Sequence, residues 1–177
     1  MNYVLSFMLL TSFALFSQQD KQSVCPMHEK PGQKAADDDH HRDVDERGDA
    51  VMGFSHEKTT HHFLLYADGG AIVAESKDPK DAESQSQIRA HFQHIAGMFA
   101  DGNFTAPLLV HGKNPPGTER MKRLQGEIHY QFETTERGGR VQITTANARA
   151  LSAIHEFLRF QIKDHRTGDP LTISPKP

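Results

Sequence analysis

An α+β fold, two ββα units forming a mostly antiparallel sheet with helices packed on one face, is what this sequence predicts. Two pairs of alternating apolar runs are each joined by a glycine-containing turn, at Ala67-Asp68-Gly69-Gly70 and at Glu136-Arg137-Gly138-Gly139. Each pair is followed by a helical stripe, with Ile88, Phe92, Ile95 and Phe99 in the first half and Leu151, Ile154, Leu158 and Ile162 in the second. The two halves also repeat in the same order, so that Phe63 corresponds to Phe132 and Ile72 to Val141. Four strands backed by two helices make a compact sandwich.

The chain of 177 residues suffices for one domain with a core. It opens on an apolar run, Val4 to Phe16, followed by Ser17-Gln18-Gln19-Asp20. That pattern suits a secretory signal peptide over residues 1–17, cut after Ser17, and is too short to span a bilayer well. A periplasmic or secreted protein is expected. With Cys25 as the single cysteine, no internal disulfide can form, and the fold must rest on its core.

Residues 18–49 are expected to be a disordered linker. Pro31 to Asp49 is polar and acidic, with Asp37-Asp38-Asp39-His40-His41 at its centre, and offers little apolar surface to offset the entropy of ordering. Near its start stands Cys25-Pro26-Met27-His28, where Cys25, Met27 and His28 place thiolate, thioether and imidazole together, a soft set that favours Cu(I) or zinc. The fragment resembles the opening of the small heavy-metal-binding domains found beside bacterial copper transporters and efflux proteins. Their second Cys-Pro-x-Cys-Gly-Met half is missing, which leaves this secondary metal site short of ligands.

The folded domain is expected over residues 50–166. His61 to Tyr66 and Ala71 to Ala74 form the first hairpin, Asp81 to Ser86 leads into the first helix, and Asp101-Gly102 ends it. Ala106 to Gly112 reads as a short edge strand, and Glu119 to Leu124 as one or two helical turns. Ile128 to Phe132 and Val141 to Ile143 form the second hairpin, and Asn147 is the expected N-cap of the second helix. Residues 167–177, with Pro170, Pro175 and Pro177, are expected to be a flexible tail.

Twelve histidines with no tryptophan make imidazole the compositional signal. Three of them fall in Phe54-Ser-His-Glu-Lys-Thr-Thr-His-His-Phe63, at the entrance of the first strand. The zinc-enzyme pattern His-Glu-x-x-His does not apply, because His56 and His61 are five apart. Strand alternation puts His61 on the face of Phe63 and Leu65, where it can meet His91 on the apolar stripe of the first helix. His94 lies one turn from His91, and His56 and His111 sit in segments able to fold over the strand entrance. His56, His61, His91, His94 and His111 are therefore the candidate metal ligands, for a copper or zinc ion. The bland reading treats them as packing and surface residues, as is common for a lone histidine on an apolar stripe such as His91 or His155.

The block from Met52 to Asp169, from Met-Gly-Phe-Ser-His-Glu-Lys-Thr-Thr-His-His-Phe to His-Glu-Phe-Leu-Arg-Phe-Gln-Ile-Lys-Asp-His-Arg, resembles an uncharacterised family of secreted bacterial proteins. The resemblance implies a single exported domain and carries over no activity and no site.

A net charge of -3 gives no general attraction for nucleic acid or anionic lipid. Gly-x-Ser-x-Gly, a Walker loop and Cys-x-x-Cys are absent. The expected function is transition-metal binding or handling in the periplasm, copper before zinc, as a binding or handling module. The alternative is a non-metal interaction domain, a homodimer with structural histidines; a histidine-using hydrolase ranks third.

Overall fold

A computed structural model describes residues 31–176, with side chains from residue 38. The expected signal peptide and the segment carrying Cys25, Met27 and His28 lie outside the described residues. Two hairpins, β1 (Thr59–Tyr66) with β2 (Gly69–Ser76) and β3 (Ile128–Thr134) with β4 (Gly138–Thr145), form one antiparallel sheet in the order β1-β2-β4-β3. Phe63 pairs with Ile72, Ile72 with Val141 and Val141 with Phe132, so the residues matched between the halves lie in one row across the sheet. The α+β fold read from periodicity is the fold observed.

Two helices cover the face that carries this row. α2 (Ala82–Ala100) is capped by Asp81, whose carboxylate accepts the Ser84 N–H at 3.0 Å. α5 (Ala148–Asp164) is capped by Asn147, whose side-chain oxygen accepts the N–H groups of Arg149 and Ala150 at 2.8 and 3.1 Å. Each helix crosses onto the other unit's hairpin: α2 packs mainly over β4 and β3, and α5 mainly over β1 and β2. Ile88, Phe92 and Phe99 of α2 and Ile154, Phe157 and Leu158 of α5 are buried between the layers. The backbone is glycine where α5 approaches most closely, since a Cβ on Gly70 would collide with the Leu158 side chain.

Three segments differ from expectation. Residues 31–49, expected as linker, belong to helix α1 (Pro31–Met52). Its sequence has little apolar periodicity, and tertiary contacts hold it: Val44 is buried, Arg47 donates to the Val110 carbonyl at 2.8 Å, and His40 and His41 bond to Asp164. Residues 106–112, expected as an edge strand, lie in helix α3 (Thr105–His111) and its cap. Pro107 falls in the first turn, where its missing N–H has no intrahelical partner to lose, and Gly112 ends the helix at φ 65°. The third is the tail, which lies along the outer edge of β1 instead of hanging free. The Ser174 N–H donates to the Leu65 carbonyl at 2.8 Å, and Arg159 donates to the Leu171 carbonyl at 2.9 Å. A short helix α4 (Thr118–Arg123) stands where helical turns are expected.

Candidate functional site

Four elements deliver imidazoles to one place. β1 carries His61 on its helix-facing side, α2 presents His91 from its stripe, α3 ends on His111, and His165 caps the C-terminus of α5. All four line a cavity of about 70 Å³, whose remaining wall is apolar except for Gln161. Val51 and Met52 at the end of α1 complete it. The rings form a connected series. Phe54 stacks on His61 at 5.7 Å between centroids, His61 faces His165 nearly parallel at 6.2 Å, and His165 meets His111 edge-on at 4.9 Å. Phe54 also takes the edge of His91 at 5.7 Å.

Burial sets the protonation state. His61 is pushed down to about 4, first by desolvation and then by repulsion from His91 and His62. His91 is likewise lowered to about 4 by desolvation, with His94 adding to it, and His165 to about 3 by desolvation and by its neighbours His111 and His61. At neutral pH these rings are uncharged and keep a lone pair, the form that ligates metals. The Nε2 of His61 is enclosed and has no hydrogen-bond partner. Such a buried orphan costs stability and calls for a reason.

His111 is held differently. Its Nδ1 lies 2.6 Å from Asp164 Oδ2 and its Nε2 lies 2.8 Å from Gln161 Oε1. Desolvation lowers its pKa despite both acceptors, so the ring is neutral, with its proton on Nδ1. A neutral ring needs a donor opposite Nε2, whereas the Gln161 amide nitrogen is buried without a partner. Turning that amide over satisfies the pair, the oxygen and nitrogen of an amide being interchangeable in shape. Asp164 stays ionised: burial opposes its charge, and hydrogen bonds from His111 and His40 outweigh burial and hold its carboxyl below the usual range.

The structure therefore unites His61, His91 and His111 of the five candidates. His94 is exposed on the outer face of α2. His56 stands outside the cavity, with its backbone N–H and Nδ1 at 2.7 and 3.0 Å from Asp49 Oδ1. His155 is structural: its Nε2 lies 2.9 and 3.0 Å from the carbonyls of Tyr66 and Gly69 at the β1-β2 turn. Sequence reasoning missed His165, although it follows Ile162 by three residues and so continues the α5 stripe by one step. Met52 and Gln161 were missed too. Among the described residues, no three His, Cys, Asp or Glu side chains are gathered so as to hold a metal ion as they stand. Comparison with protein-family models, with curated proteins and with solved structures gives no match.

Proposed function

We propose that this protein binds a transition-metal ion, copper before zinc, at the buried imidazole cluster, and serves as a binding or handling module of the periplasm. The observation that carries the reading is the enclosed, unpartnered Nε2 of His61 beside further rings that burial keeps neutral. With metal-nitrogen distances of about 2.0–2.1 Å, two imidazoles on one ion have centroids roughly 5 to 6 Å apart. The His61-His165 separation of 6.2 Å lies near that range, and His111, 4.9 Å from His165, joins only by giving up its Gln161 contact, so ligation requires ring rotation.

Copper is favoured by the donor set. Met52 adds a thioether to the imidazoles, a soft combination suited to Cu(I). The cavity wall holds no carboxylate, and the cost of desolvating an ion grows with the square of its charge, so a monovalent ion enters such a site more cheaply than a divalent one. The wall also holds no hydroxyl or thiol among the described residues.

The test is metal content and binding stoichiometry of untagged protein, with the variant Cys25→Ala/Met27→Ala/His28→Ala as control for the amino-terminal segment. Truncation before residue 50 is unsuitable, because α1 is anchored to the domain. The expected result is one Cu(I) or Zn(II) per chain, a raised melting temperature in both proteins, and loss of both effects in His61→Ala and in His165→Ala. Absence of metal-dependent stabilisation in the control variant would return the core histidines to a structural role.

A further inference from the structure

Next to the inner cavity lies a second cleft of about 310 Å³, and Met52, His61 and His165 line both. Those three side chains are the partition between them. The outer side adds His56 and His62, each fixed in the same manner: His56 Nδ1 lies 3.0 Å from Asp49 Oδ1, and His62 Nδ1 lies 2.9 Å from Asp169 Oδ1. A carboxylate on Nδ1 holds the proton there and leaves the Nε2 lone pair as the available ligand, the arrangement that orients metal-ligating histidines. Neither aspartate is held by its histidine alone. Asp49 also accepts the His56 backbone N–H, and Asp169 also accepts the Phe63 N–H at 2.9 Å and the Thr167 hydroxyl at 2.7 Å, so both pairs are built into the backbone.

We infer that the outer cleft is the portal through which a transition-metal ion reaches the inner cavity, taken first by His56 and His62 and passed across Met52, His61 and His165. The inference rests on the inner cluster being a metal site. Charge favours the direction of travel: Asp45, Asp49 and Asp169 lie at or beside the cleft, while the one lysine lining it, Lys77, turns its ammonium onto the Glu57 carbonyl at 2.7 Å. Inside, neutral imidazoles and a thioether replace the carboxylates. An ion is therefore drawn by charged groups and retained by neutral, softer donors, with Met52 and two imidazoles reachable from both sides.

The experiment is stopped-flow transfer of Zn(II) or Cu(I) from a chromophoric chelator to the full-length protein, read beside equilibrium stoichiometry. His56→Gln/His62→Gln removes the outer ligands at partly exposed positions. It is expected to load roughly tenfold more slowly than the unaltered protein while reaching the same stoichiometry and final affinity. Asp49→Asn, which keeps the volume and weakens the hold on Nδ1, should show a smaller slowing in the same sense. Circular dichroism and melting temperature confirm that each variant is folded. Loading of the double variant at the unaltered rate overturns the portal and leaves the inner site standing. Loss of final affinity in that variant also overturns it, by placing His56 or His62 among the final ligands, and failure of the unaltered protein to take up metal overturns both readings.

Discussion

His155 and His61 are both histidines on helix-facing surfaces, and their different hydrogen bonding separates their roles. His155 satisfies two backbone carbonyls, so His155→Leu strands them and should lower stability by about 1–3 kcal/mol in urea denaturation, with metal binding unchanged. His61 satisfies nothing through Nε2. Replacing a buried polar group that lacks a partner by an apolar one of similar size removes a penalty, so His61→Leu should raise the melting temperature of the metal-free protein while abolishing binding. A drop in stability on that substitution would mean that His61 is a packing residue and no more. The buried rings also predict a pH dependence for the metal-free protein. His61, His91 and His165 have folded values near 4, 4 and 3, below the ordinary 6.5, so between about 6.5 and 4 the unfolded chain binds more protons than the folded one. Stability is therefore full above that window and falls as pH drops through it, which denaturant midpoints measured from pH 7.5 to 4 will show.

At the scale of elements, one residue ties the middle of α1 to the end of α5. Asp164 binds His40 at 3.1 Å and His111 at 2.6 Å, and its own carbonyl lies 2.9 Å from His41 Nδ1. Asp164→Asn should loosen α1 ahead of the rest, so that amide hydrogen exchange quickens over residues 38–52 while β2 and β4 keep their protection. Uniform loss of protection across both would contradict a separately anchored helix. This dependence also explains why α1 was illegible in the sequence: its tertiary hydrogen-bond partners lie 63 or more residues away, and Val44 is its one buried apolar side chain among the described residues. α3 was misread for a different reason. Leu108-Leu109-Val110 has the look of a strand, yet Leu109 is 53 % exposed and only the first turn's proline and the closing Gly112 mark a helix. By contrast the hairpins and the α2 and α5 stripes were readable, since strict alternation and spacings of three and four encode a face directly. Of the site, alternation placed His61 and the stripe placed His91, while the contribution of His165 required knowing that α5 ends against α3.

Across the whole molecule, the crossing of α2 and α5 leaves neither ββα unit with a core of its own. α2 covers the strands of the second unit and α5 those of the first. Residues 50–113 and 114–177 expressed separately should be unfolded; a folded single half would contradict the interlocked packing. The row Phe63-Ile72-Val141-Phe132 has a further consequence. It sets a local dyad through the centre of the sheet, and that dyad carries His61 onto Tyr130, each standing two residues before its matched phenylalanine. Both positions hold a buried polar atom without a partner, the Nε2 of one and the hydroxyl of the other, and burial raises the Tyr130 phenol above its ordinary range. The scaffold thus offers two equivalent seats and has furnished them unequally, one with an imidazole that burial keeps neutral and one with a phenol that burial keeps protonated.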